Sequence, residues 1–222
     1  MYNRTSIHSP LSISDKISSL DFTLLISILL LGIISIFAQF SSSGGTFDYY
    51  SKSHAIRFAF FFILFLTVSF TPIRFWHSSS FIFFLFLLSL LIFVKFYGIQ
   101  SQGSRRWVKI FVINIQPSEL MKVGVILFLS NYYHKISEGD VNKVRYLLYP
   151  VIAILAPFIL VLSQPDLGTA ILILLSGVVV TWLAGVRWKI FAYLSLLAIV
   201  TAPIAISFLK PYQKSRILTF LN

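Results

Sequence analysis

Cysteine is absent from the 222 residues, so neither a disulfide framework nor a cysteine metal cluster can hold this chain together. Charge is scarce as well. Charged residues make up 11% of the sequence, where a soluble domain carries about 25%, so a water-soluble globular enzyme is excluded. Only 7 residues are acidic. The four histidines, at 8, 54, 77 and 134, lie at loops or span ends without ligand spacing, which argues against a histidine metal site. The first 20 residues are polar and lack a cleavable signal pattern, so the first apolar run reads as an anchor.

What is abundant is apolar surface. Hydrophobic residues reach 57% and mean hydropathy is +0.87, too much to stay solvated as a disordered chain. Seven apolar runs have the length needed to cross a bilayer core of about 30 Å: residues 22–40, 55–71, 78–97, 117–134, 146–163, 167–184 and 189–209. None alternates as a membrane barrel would require, and an isolated strand would leave its backbone unpaired in lipid. The expected architecture is an all-α, polytopic helical bundle of about seven spans. Residues 1–21 form a polar tail, 22–209 the bundle and 210–222 the beginning of a further loop. No sequence repeat or separate soluble domain is evident.

An odd number of crossings fixes which connections share a side. Residues 98–116, 164–166 and 210 onward share one membrane face, called face B; the N-terminal tail and residues 135–145 and 185–187 share face A. The 18 basic residues divide eight on face A to ten on face B, so the positive-inside rule does not choose an orientation. A net charge of +11 carried between apolar runs suits anionic head groups or phosphate ligands and the lipid bilayer, with no nucleic acid implied.

Face B gathers the residues that could carry chemistry. Gln116-Pro117-Ser118-Glu119 and Gln164-Pro165-Asp166-Leu167-Gly168 both read as helix starts. Proline fits the first helical position, and an acid in the first turn meets the positive end of the helix dipole. Capping alone would account for Glu119 and Asp166. Lys122 weighs the other way: it lies three residues beyond Glu119, on the same helix face, inside a span where charge costs about 2.5–3.5 kcal/mol or more. Such pairs face a bundle interior or a cavity. Arg105 and Arg106, beside Trp107, read either as interfacial anchors or as planar forks for phosphate.

Four ordered blocks carry a resemblance: Gly-Ser-Arg-Arg-Trp at 103–107, Gln-Pro-Ser-Glu-Leu-Met-Lys at 116–122, Gln-Pro-Asp-Leu-Gly-Thr-Ala at 164–170 and Pro-Tyr-Gln-Lys-Ser-Arg-Ile at 211–217. Together they resemble the SEDS family (shape, elongation, division and sporulation proteins), in particular its rod-shape-determining branch, from the first span onward. The resemblance implies a multi-pass protein of the bacterial inner membrane, with face A cytoplasmic and face B periplasmic. It implies a peptidoglycan glycosyltransferase that polymerises lipid II onto a growing glycan strand beside a class B penicillin-binding protein.

Arg105, Arg106, Glu119, Lys122 and Asp166 would then line the substrate cavity. Gln116, Pro117, Ser118, Gln164, Pro165 and Gly168 would shape it. No cofactor is strictly required; a divalent cation, Mg or Mn, would sit at Glu119 and Asp166 if one is used. Family members have about ten spans, with the expected catalytic aspartate in the loop after the seventh. This sequence ends at Asn222, as that loop begins. No residue here matches the aspartate, so the catalytic base is expected beyond Asn222. The chain is accordingly expected to lack the family's C-terminal part and to be weak or inactive alone. A lipid II carrier or flippase, and a non-catalytic membrane partner of a penicillin-binding protein, remain alternative readings.

Overall fold

A computed structural model of the chain describes residues 13–101, 104–110 and 113–207. It is helical apart from one small sheet. The order is α1 (Ile13–Ser18), α2 (Phe22–Ser42), α3 (Tyr49–Phe70), α4 (Ile73–Tyr97), β1 (Ile99–Ser101), β2 (Ser104–Ile110), β3 (Ile113–Ile115), α5 (Pro117–His134), α6 (Val144–Leu162), α7 (Leu167–Leu183) and α8 (Trp188–Ser207). Helices α2 to α8 correspond to the seven expected spans. Among the described residues, α2, α3, α4 and α6 are long and apolar enough to cross a membrane. Helix α7 is apolar and slightly shorter, at 17 residues, while α5 is diluted by Glu119, Lys122 and a polar last turn. The chain is a multi-pass membrane protein.

Helices α3 and α4 begin several residues before their apolar runs. Asp48 caps α3, its Oδ1 accepting the Ser51 amide at 2.8 Å, so the helix starts six residues before the run at 55. Residues 73–77 likewise add a turn to the front of α4.

The chain divides into two compact units, residues 1–73 and 74–222. In the first, α2 and α3 meet at Gly32, where a Cβ would stand 2.0 Å from the Phe58 ring. The Lys16 ammonium donates to Phe70 O at 3.2 Å, filling a carbonyl that the end of α3 leaves open.

The second unit holds the main core. Leu87, Leu91 and Val94 of α4, Met121, Val125 and Leu129 of α5, Val161 of α6 and Ala170 and Ile173 of α7 are buried. Their three- and four-residue spacing gives each helix one packing stripe. Small residues let the backbones close, as membrane helices require: a Cβ on Gly177 would lie 2.4 Å from Ile154 Cγ1, and one on Gly124 would lie 2.8 Å from Leu87 Cδ1.

Several polar groups inside this unit are matched across helices. Asn131 Nδ2 donates to His77 O at 2.9 Å and to Ser80 Oγ at 2.6 Å, tying the end of α5 to the start of α4. Helix α6 contains Pro150, which has no N–H to offer the carbonyl four residues back. The Tyr132 hydroxyl supplies the donor instead, reaching Tyr146 O at 2.9 Å.

Within the stretch that the sequence shows only as a connection between spans, residues 99–101, 104–110 and 113–115 form a three-stranded antiparallel sheet in the order β1-β2-β3. Ile99 pairs with Trp107 and Gln100 with Arg105, with an irregularity between them. Val108 pairs with Ile115 and Lys109 with Asn114.

Candidate functional site

The sheet stands where α4 ends and α5 begins, and β2 packs against α5. Helix α6 returns the chain to this same end, where Asp166 meets Gln116 across 50 residues: Gln116 Nε2 donates to Asp166 Oδ2 at 2.8 Å. These segments share face B by the number of crossings between them, and this bond joins them.

Asp166 does two further things. Its Oδ1 accepts the Thr169 amide at 3.4 Å, which makes it the N-cap of α7. Its Oδ2 lies 3.7 Å from Arg106 NH1, the two side chains being 11% and 19% exposed. One carboxylate therefore receives an amide, a carboxamide and a guanidinium. A half-buried arginine is stabilised where such a carboxylate waits for it.

The neighbouring arginine is used differently. Arg105 is exposed, and its NH1 donates to Phe96 O at 2.7 Å, filling an open carbonyl in the last turn of α4. The doublet is divided between an anchor for the sheet and a cation facing Asp166. The sequence left this choice open because it depends on which strand face each arginine occupies.

Glu119 lies in the first turn of α5, directly after the Gln116 cap. Lys122 Nζ donates to its Oε2 at 2.8 Å. The lysine side chain is 24% exposed and the glutamate 52%, so the pair is a partly open ion pair rather than a sealed one. Ser118 and Pro117, in the same first turn, are buried.

The two Gln-Pro motifs start their helices by different means, which corrects the shared helix-start reading. Pro117 stands at the head of α5, as expected. Pro165 stands outside α7, because the Asp166 cap sets the helix start at Leu167. Gln164 is buried, and its Nε2 donates to Leu91 O at 3.0 Å, suspending the α6–α7 connection from α4. Gly168 has open space where a Cβ would stand. Its role is therefore not close packing among the described residues.

Among the described residues no three His, Asp or Glu side chains converge as a metal site needs. The Asp166 oxygens already receive protein donors, and Glu119 is bound by Lys122. These carboxylates do not fit a divalent cation in this arrangement. Gly103 and the basic segment 210–216, both singled out from sequence, lie outside the described residues. So does Asn222, the position beyond which the catalytic base is expected.

The hairpin itself was missed in the sequence. The β-branched Val108, Ile110, Ile113 and Ile115 carry its signal, hidden by a chain in which apolar residues are common everywhere.

Comparison with known proteins agrees with this architecture. Residues 18–222 match the family model FTSW_RODA_SPOVE, described as a cell cycle protein. A probable peptidoglycan glycosyltransferase FtsW of Wigglesworthia glossinidia brevipalpis is 35% identical over 206 residues, covering 90% of this chain and 54% of that one. The peptidoglycan glycosyltransferase MrdB of Helicobacter pylori is 35% identical over 176 residues, covering 78% and 46%.

Among solved structures, the rod shape determining protein RodA of Thermus thermophilus superposes with a TM-score of 0.64 at 24% identity, over 79% of this chain and 58% of that one. A chain from a peptidoglycan synthase complex, described as coordinating polymerization and crosslinking, gives 0.69 at 24% identity, over 88% and 58%. The chain spans about half the length of the curated relatives it matches. With the family model covering nearly all of it and the ordered motifs of its sequence, the chain belongs to the FtsW/RodA/SpoVE family of cell cycle proteins, the SEDS family.

Proposed function

We propose that the chain acts in peptidoglycan glycosyl transfer, binding lipid II and a growing glycan strand at a bacterial inner membrane as part of the cell-elongation machinery. The observation that carries this reading is the joining of Arg106, Gln116 and Asp166 beside the Glu119–Lys122 pair, on one end of the bundle. Relatives named peptidoglycan glycosyltransferases support it.

In the transfer, a sugar hydroxyl attacks the anomeric carbon of the lipid-linked chain. The bond from that carbon to the pyrophosphate oxygen breaks, the hydroxyl proton passes to a base, and the lipid pyrophosphate departs with the negative charge. Arg106 and Lys122 are the cations set to receive that charge, because fixed donors aimed at a leaving group do not reorganise as it forms. Asp166 and Gln116 act through Arg106 as positioning residues. The resemblance to the family implies a separate carboxylate as the base. A class B penicillin-binding protein is the partner this reading implies, supported by the likeness to a chain of a peptidoglycan synthase complex.

The test is the binding of fluorescent lipid II to the purified chain in nanodiscs. Charge-assisted hydrogen bonds contribute about 1.5–3 kcal/mol, so Arg106→Gln and Lys122→Gln should each weaken binding by roughly tenfold or more. Unaltered affinity in both variants overturns the assignment. Lipid movement across the bilayer without strand growth, in a full-length relative carrying the same residues, favours the carrier reading instead.

A further inference from the structure

The end of the 74–222 unit opposite the sheet carries charge that the site above does not use. There the α5–α6 and α7–α8 connections are pinned together by one side chain. Asn142 Oδ1 accepts the Arg187 amide at 2.7 Å, and Asn142 Nδ2 donates to Gly185 O at 3.4 Å. Gly185 takes φ +92°, a left-handed conformation that favours glycine. This clasp brings the beginnings of α6 and α8 together, and with them Lys143, Arg145, Arg187 and Lys189.

Only one of these four cations is neutralised among the described residues. Lys143 pairs with Asp140. Arg145, Arg187 and Lys189 are exposed and make no ion pair among the described residues. Neither α6 nor α8 has an acidic residue in its first turn. Cations in these positions oppose the usual preference for negative charge at a helix start, and an external anion beside them would offset that repulsion.

The surroundings identify the kind of anion. Tyr149, Trp182 and Trp188 border the seam and are 60%, 57% and 68% exposed, as aromatic rings at a membrane boundary are. Leu148 and Leu183 lie exposed on the flanks of α6 and α7. Cations above and apolar flanks below match a molecule with a phosphate head and acyl chains.

We propose that this seam binds the head group of an anionic phospholipid from the adjoining leaflet. Arg145, Arg187 and Lys189 supply the charge, and Asn142 holds the two connections in register. Lys143 takes no part, because Asp140 already occupies it. The proposal is independent of the glycosyltransferase reading.

Trp182 and Trp188 allow a direct test in a chain whose other two tryptophans, Trp76 and Trp107, are replaced by phenylalanine. The chain is reconstituted in phosphatidylcholine vesicles containing graded amounts of dibrominated phosphatidylglycerol or dibrominated phosphatidylcholine, and fluorescence quenching is measured. The phosphatidylglycerol should quench at the lower mole fraction. A cation near an anionic surface contributes about 1 kcal/mol, or roughly fivefold in preference. Arg145→Gln, Arg187→Gln and Lys189→Gln should each lose about that factor, Asn142→Ala should also reduce the preference, and Lys143→Gln should leave it unchanged.

With the substitutions at 145, 187 and 189 left out, 1 M salt should abolish the preference, because it shortens the screening length to about 3 Å. This arm keeps the test valid if a variant fails to fold. Equal quenching by the two lipids overturns the proposal, as does a triple variant that keeps its preference. Displacement of the lipid by millimolar inorganic phosphate also overturns it, in favour of a small-anion site.

Discussion

Asp166 satisfies three donors with two oxygens, and this makes its substitutions separable. Asparagine is as good an N-cap as aspartate, whereas loss of a cap to alanine costs about 0.5–2 kcal/mol. Asp166→Ala should therefore lower the melting temperature more than Asp166→Asn. Both should weaken lipid II binding by loosening Arg106. A melting temperature equal in the two variants would mean that the Thr169 cap contributes nothing.

Lys122 and Glu119 make the opposite contrast. An ion pair with one side chain half exposed contributes about 0–1 kcal/mol to stability. Glu119→Gln should accordingly leave melting nearly unchanged, while Lys122→Gln gives the loss of binding described above. A large drop in melting temperature for Glu119→Gln would assign the pair to folding instead. The sequence made this pair legible, because three residues along a helix settle its geometry. It could not reveal that Arg105 caps α4, since that bond depends on the path of the hairpin between them.

At the scale of elements, α7 carries two glycines for which one substitution has opposite signs. Gly177→Ala places a Cβ against Ile154, and overpacking of this kind costs about 1–3 kcal/mol. Gly168→Ala meets open space and gains up to about 1 kcal/mol of helix propensity. Melting of the two variants should move in opposite directions, and movement in the same direction would contradict the packing of α6 on α7.

The connection at 135–143 has a pH window. The Asp140 carboxyl is held below its usual 3.8 by the hydrogen bond from Lys143, then by that from Ser137. The Lys143 ammonium is raised above 10.5, chiefly by the hydrogen bond to Asp140. The carboxylate's contribution is present above pH 3.8 and is lost as pH falls through its lowered value. The ammonium's contribution is present below pH 10.5 and is lost as pH rises through its raised value. Amide protection in this connection, taken relative to the intrinsic exchange rate at each pH, should be greatest between those limits, and Asp140→Asn should remove the dependence at the acid end. The span lengths were readable from apolar runs, but not the polar extensions of α3 and α4, because a capped helix continues where hydropathy stops.

For the whole molecule, the absence of cysteine becomes experimentally useful. Single cysteines at 105 and 142 should react with impermeant maleimide from opposite sides of a sealed vesicle, since α5 separates the sheet from the Asn142 clasp. Labelling from one side would contradict the transmembrane reading of α5. Counting crossings was enough to bring residues 116 and 166 to a common surface, but it could not say that they touch. That contact requires the lengths and tilts of α5 and α6 to agree, which hydropathy does not encode.

The tether from Gln164 to Leu91 ends on a main-chain oxygen. Any amino acid at position 91 retains that oxygen, so inheritance can damage this link from one end only. The Asn142 clasp is similar, since its two partners are both backbone atoms, the Gly185 oxygen and an Arg187 N–H that only proline would remove. Variation among relatives should therefore be wide at 91 and 187 as far as these bonds are concerned, and the burden of keeping the connections in place falls on two carboxamides.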